Sequence, residues 1–181
     1  MSYGFLEIFT GPMFGGKTAM ILERYYQIKN DKIFIKPAFD TRFGETKVAS
    51  RNGMSAEAIP LKEWMPIPSH IKHVFVDEIN FMCEPMYHGN FIDDIRGILK
   101  RGINVYASGL DTDWQGRGFD ISAQLIAMAD TVHKLHARCN ICGKPAGKTF
   151  KKVISDNIFE QGDKDLYEAR CNEHWHCHDI K

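Results

Sequence analysis

The sequence predicts an α/β fold, a parallel sheet flanked by helices, with a small C-terminal zinc-binding lobe. Three observations carry this expectation. A complete G-x4-G-K-T run, Gly11-Pro12-Met13-Phe14-Gly15-Gly16-Lys17-Thr18, directly follows an apolar segment. Short apolar runs then alternate with stretches of helical period, the pattern of a parallel sheet covered by helices. Two knuckles, Cys139-x2-Cys142 and Cys171-x2-His174, are separated by a 28-residue insert.

Phe5–Thr10 alternates as a strand does. In the glycine run that follows, the backbone can curl so that successive N–H groups point inward as an anion nest. Lys17 would reach the β- and γ-phosphates of a bound nucleotide, and the Thr18 hydroxyl would sit on Mg²⁺. Thr18–Lys29 carries an apolar face at helical spacing, and the positive end of such a helix reinforces the phosphate site. The run therefore predicts a P-loop that binds a nucleoside triphosphate. Further strands are expected at Lys32–Lys36, His73–Val76 and Asn104–Ser108. Ile33–Ile35 and Val74–Val76 read as strands buried on both faces. Phe91, Ile92, Ile95, Ile98 and Leu99 place a helix over Asn90–Lys100, which Gly102 would stop. Ile121–Ala129 supplies one more helix. Thr41–Pro68 has several prolines and no strong period, and is expected to be irregular, at a surface or subunit contact.

At 181 residues the chain suits one domain with a substantial core and one small appendage. Its formal net charge of zero argues against a main task of holding nucleic acid electrostatically. No run is long enough to span a bilayer, and no secretory signal pattern opens the chain. Five cysteines without such a signal point to a reducing, cytoplasmic setting, where paired cysteines bind metal more often than they form disulfides. Composition shifts towards Lys, Cys, His and Gly from about Thr131, and the boundary is placed at residue 136. Residues 1–136 would form the nucleotide-binding domain and 137–181 a lobe too small to fold without a staple.

Val74–Val76 ends in Asp77-Glu78. An acid at this strand end lies beside the triphosphate, so Asp77 is the expected metal-side residue and Glu78 the candidate general base. The knuckles offer four soft or borderline ligands suited to a structural, tetrahedral Zn²⁺: Cys139, Cys142, Cys171 and His174. His176, Cys177 and His178 are within reach of the second knuckle, and Cys177 is an alternative fourth ligand. Cys83 stands alone and reads as a core or edge thiol. Phe81, Trp114, Phe119 and Tyr167 fall near strand ends, where α/β sheets bind ligands, and suggest a pocket for a flat ring.

Taken together, these segments resemble the cellular-type (type II) thymidine kinases of animals, bacteria, large DNA viruses and phages. The similarity runs over nearly the whole chain. It rests on Gly11–Thr18, Asp40-Thr41-Arg42, Asp77-Glu78 followed by Phe81, Leu110-Asp111 followed by Gln115 and Phe119, the knuckles, and Tyr167 four residues before Cys171. The resemblance implies a homotetramer transferring the ATP γ-phosphate to the 5′-hydroxyl of thymidine. It implies that Glu78 takes the hydroxyl proton, and that Arg42 and Asp40 lie near the phosphates and metal. Met13, Phe81, Leu110, Trp114, Phe119 and Tyr167 would line the nucleoside pocket, with Thr149 facing the pyrimidine 5-substituent. The insert resembles the family's lasso loop, of which Val153–Leu166 would close over the ring and bind it largely through backbone groups. The chain departs from the family at Ile79-Asn80, at Trp114 where Phe is usual, at Gly116-Arg117-Gly118 and at Gln161-Gly162-Asp163. A zinc-bearing ATPase acting on nucleic acid and a non-catalytic nucleotide sensor are the competing readings.

Overall fold

The computed structural model describes residues 2–153, 157, 158, 160 and 162–176. Its first elements are β1 (Leu6–Thr10), α1 (Lys17–Gln27), β2 (Lys32–Pro37), β3 (Lys47–Ala49), β4 (Ser55–Glu57), β5 (Ile59–Leu61) and β6 (His73–Val76). A 3₁₀ turn at Ile79–Phe81 leads to α2 (Phe91–Lys100), β7 (Asn104–Gly109), α3 (Asp120–Met128) and β8 (Thr131–Lys134). Four short strands follow among the described residues: β9 (Ala137–Arg138), β10 (Pro145–Ala146), β11 (Lys148–Lys151) and β12 (Tyr167–Arg170).

Six strands form one sheet in the order β5-β2-β6-β7-β1-β8. Every neighbouring pair in it is parallel. Successive side chains of a strand point to opposite faces, and the two cores sort accordingly. Leu6, Ile8, Val74, Val76, Val105 and Ala107 pack with α2 and α3. Phe9, Phe34, Phe75 and Tyr106 pack on the other face with Ile21 and Leu22 of α1. This three-layer arrangement covers both faces of the central strands. The alternation read over Phe5–Thr10 consequently marks no exposed face, since all five residues of β1 are buried. Glu7 is accommodated there because Arg24 Nη2 and His133 Nε2 each lie 2.8 Å from its Oε1. A buried carboxylate needs such partners.

The expected helices form where the periodicity places them. Asn90 caps α2 by accepting the Asp93 N–H, and Asp93 and Asp94 occupy its positive first turn. At its other end Ile103 N–H bonds Ile98 O and Gly102 N–H bonds Leu99 O, a Schellman closure with Gly102 at φ 78°. The segment Thr41–Pro68 differs from expectation. It holds the β3–β4 hairpin and β5, an edge strand of the main sheet. Three-residue strands are too short to show a period, and Pro60 within β5 is tolerated because that strand is an edge. β8 closes the opposite edge.

Beyond β8, two antiparallel hairpins form the C-terminal lobe, β9 with β10 and β11 with β12. Its own core is small: Ala137, Cys139, Ala146, Ala169 and Cys171, with Phe14 packed against it. Among the described residues, no helix is long and apolar enough to cross a membrane.

Gly102→Ala is expected to destabilise the protein by about 1–2 kcal/mol, because an L side chain is strained at positive φ. Chemical denaturation would measure it, and an unchanged midpoint would count against the closure described here.

Candidate active site

Because all six strands run the same way, their C-terminal ends deliver loops to one edge of the sheet. β7 lies between β6 and β1. The acids after β6 and the glycine loop after β1 therefore face each other across a single strand. Gly16, the residue before α1, has φ 82°, and a Cβ added there would meet nothing within 4 Å. Glycine is favoured at that position by backbone conformation, and the space above it stays open to a ligand. Lys17 Nζ donates to Pro12 O at 2.8 Å. Burial pushes the Lys17 ammonium below its usual range, against the pull of Glu78 and Asp77.

Asp77 is surrounded by donors. Thr18 Oγ1 donates to its Oδ2 at 3.0 Å, while Ser108 Oγ and, at 3.0 Å, the Glu78 N–H donate to Oδ1. Burial and the adjacent Glu78 carboxylate nevertheless raise the Asp77 carboxyl to about 6, with Ser108 and Thr18 opposing the shift. The folded state thus holds this proton more tightly than the unfolded chain does. Asp77 contributes stability when protonated, and that contribution is lost as pH rises from about 4 to about 6.

Glu78 has φ 54°, rare for a residue with a side chain, and such strain gathers at functional sites. Its carboxylate meets Arg42 Nη2. Arg42 Nε reaches Asp40 Oδ1 at 2.7 Å. Glu78 foremost, together with Asp40, keeps the guanidinium charged. Burial alone would raise the Asp40 carboxyl, but Arg42 and Lys36 hold it below the usual range. Lys36 is itself buried and donates to Gly44 O at 2.9 Å and Lys47 O at 3.0 Å, tying down the loop that carries Asp40 and Arg42.

These groups open onto a cleft of about 640 Å³. Met13, Phe14, Gly16, Lys17, Thr18, Asp40, Arg42, Asp77 and Glu78 line it together with Phe81, Leu110, Trp114, Phe119, Thr149 and Tyr167. Gly11, Pro12 and Gly15 shape the loop, with Gly15 N–H bonding Pro12 O at 3.2 Å. Thr149 Oγ1 accepts the Met13 N–H at 3.0 Å, and Trp175 Nε1 donates to Thr149 O at 3.0 Å. The Thr149 hydroxyl is thus engaged with the glycine loop.

Sequence reasoning missed Ser108 and the β3–β4 hairpin, whose Ser50, Arg51 and Asn52 also line the cleft. Arg51 lies 4.4 Å from the Phe14 ring centroid and 2.5 Å from Asp163 Oδ1 in the insert. Ser108 was findable in principle. It follows Ala107, which pairs with Val76, so it stands beside Asp77 once β6 and β7 are known to be neighbours.

In the C-terminal lobe, ligand atoms of Cys139, Cys142, Cys171 and His174 all lie within 4.8 Å of one another. Cys142 Sγ is 3.7 Å from Cys171 Sγ, and His174 Nδ1 is 3.3 Å from Cys171 Sγ and 3.7 Å from Cys139 Sγ. Zn–S bonds of about 2.3 Å and Zn–N bonds of about 2.0 Å give tetrahedral edges of roughly 3.5–3.8 Å, so the set fits that metal. The alternatives Cys177 and His178, like Gln161 of the insert, lie outside the described residues.

The parallel sheet, the glycine loop at the start of α1 and the cleft over the strand ends define an α/β protein that takes its ligands at those ends. The chain belongs to the thymidine kinase family, whose family model matches residues 4–175. It is 38% identical over 183 residues to a thymidine kinase of Coprothermobacter proteolyticus, covering 94% of this chain and 90% of that protein. A thymidine kinase of Bdellovibrio bacteriovorus is 33% identical over 179 residues, covering 95% of this chain and 85% of that protein.

Ser108→Ala removes a donor that favours the ionised Asp77. The Asp77 midpoint, followed by carboxyl NMR in the metal-free protein, is expected near 6 and to move higher in this variant. A fall in that midpoint would contradict the assignment.

Proposed function

We propose that the chain transfers the γ-phosphoryl group of ATP to the 5′-hydroxyl of thymidine, giving thymidine monophosphate and ADP for DNA precursor salvage. The observation that carries this reading is a continuous cleft that joins the glycine loop and its buried acids to an apolar, aromatic pocket. Membership of the thymidine kinase family supports it. Action on nucleic acid is not favoured, since both relatives bear the thymidine kinase name.

In this reading the Gly11–Thr18 loop binds the phosphates, and Lys17 and Arg42 neutralise charge on the transferring group. Thr18 Oγ1 and Asp77 Oδ2, 3.0 Å apart, are hard oxygen donors suited to Mg²⁺, which when bound would screen the phosphate charge. Asp40 orients Arg42. Glu78 accepts the 5′-hydroxyl proton as that oxygen bonds to the γ-phosphorus and the bond to ADP breaks. Met13, Phe81, Leu110, Trp114, Phe119 and Tyr167 hold the nucleoside, and the Thr149 methyl faces the pyrimidine 5-substituent. The insert covers the ring with Ile158, Glu160 and Gly162, residues 154–156, 159 and 161 of the expected cover lying outside the described residues.

The proposal extends to one structural Zn²⁺ on Cys139, Cys142, Cys171 and His174, and to a division into residues 1–136 and 137–181. It also includes a homotetramer acting in the cytoplasm. Val132 of the edge strand β8 is 40% exposed, which supports self-association.

Glu78→Gln is expected to bind both substrates but lower turnover about 10²–10⁴-fold, measured as thymidine monophosphate formed. Normal turnover would remove Glu78 from the mechanism, and no product from the unaltered enzyme would refute the reading itself. Metal analysis is expected to find one zinc per chain, lost in Cys139→Ser together with the order of the lobe. A variant that kept stoichiometric zinc would exclude this ligand set.

A further inference from the structure

Lys151 is the last residue of β11 and stands opposite Tyr167 of β12. Its side chain is 0% exposed, and its ammonium lies 2.6 Å from Glu160 Oε2 and donates to Asn157 O at 2.8 Å. Both partners belong to the insert between the knuckles. The same nitrogen is 5.5 Å from the centroid of Trp114 and 6.0 Å from that of Tyr167, distances at which a cation is attracted to an aromatic ring. These two rings line the cleft. Tyr167 Oη donates to Glu160 O at 2.9 Å, joining the insert to the pocket wall a second time.

We propose that Lys151 is a positioning residue that holds Asn157 and Glu160 of the insert over the nucleoside pocket, and so sets the KM for thymidine. This rests on the reading that the insert covers thymidine. An ammonium taken out of water is tolerated only where other groups compensate its charge. Two of the groups doing so here come from the insert, so lifting that segment would strip them from a buried cation. The covered arrangement is therefore favoured before any ligand arrives. Apparent affinity scales with the fraction of molecules already in the competent arrangement, so removing the cation weakens thymidine binding. Contact between the lobe and the glycine loop runs instead through the Thr149–Met13 bond and the packing of Phe14, so ATP binding is independent of Lys151.

Lys151→Met is expected to raise the thymidine KM about tenfold while the ATP KM and kcat stay within about twofold. Glu160→Gln, at a partly exposed position, is expected to raise the thymidine KM about threefold. The double variant should be no worse than Lys151→Met alone, because both changes break one interaction. An unchanged thymidine KM, a parallel rise in both KM values, or additive effects would each overturn the proposal. If Lys151→Met does not fold, Glu160→Gln decides by the same criterion. Limited proteolysis without substrates separates this inference from the kinase reading. Faster cleavage within 152–166 in either variant supports the positioning role whatever the substrate is, and unchanged cleavage in both overturns it.

Discussion

Two adjacent carboxylates, Asp77 and Glu78, are buried at the end of a central strand, and much of the surrounding architecture answers that constraint. Like charges so placed cannot both be held ionised without compensation. Asp77 turns towards Thr18 and Ser108, while Glu78 turns towards Arg42. Arg42 is in turn fixed by Asp40, and Lys36 fixes the loop that carries them both. Lys17 completes the set from the glycine loop. The result is a cluster of alternating charges in which every member has a reason for its orientation. Such preorganisation is what a phosphoryl-transfer site requires, since little covalent chemistry falls to the protein.

The sheet makes this possible by direction alone. Six parallel strands bring their C-terminal ends to one edge, and the order places β7 between the strands that carry the acids and the loop. The far end of β1 shows the same economy of polar groups, with Glu7 buried between Arg24 and His133 beneath α1. Both faces of the central strands are covered, so no polar side chain there can rely on water.

The C-terminal lobe obeys a different logic. Its apolar core is a handful of alanines and cysteine sulfurs, too little to order the lobe by burial alone. The lobe gathers the cysteine–histidine cluster and is attached to the rest of the chain through the Thr149–Met13 bond and the packing of Phe14. That attachment makes the lobe one wall of the cleft. The cysteine–histidine cluster is thereby linked, through β11 and β12, to the shape of the pocket.

The helices, the central strands, the glycine loop, the acid pair and the knuckles were all legible in the sequence. Each is a local pattern, written in periodicity or in the spacing of a few residues. β5 and the β3–β4 hairpin were not, because three-residue strands carry no period and acquire their role only from a neighbour. Ser108, Arg51, Lys36 and Lys151 were silent for a related reason. A serine or a lysine has the same local appearance whether it is solvated or buried against a carboxylate. By itself the sequence determined the class of fold, the family and the chemical groups available to the site. Only the tertiary structure decided which carboxylate faces which donor, that Thr149 bonds the glycine loop, and that Lys151 carries its charge beneath the insert. Those outcomes depend on contacts between residues far apart in the chain, where burial turns an ordinary side chain into one that must find a partner.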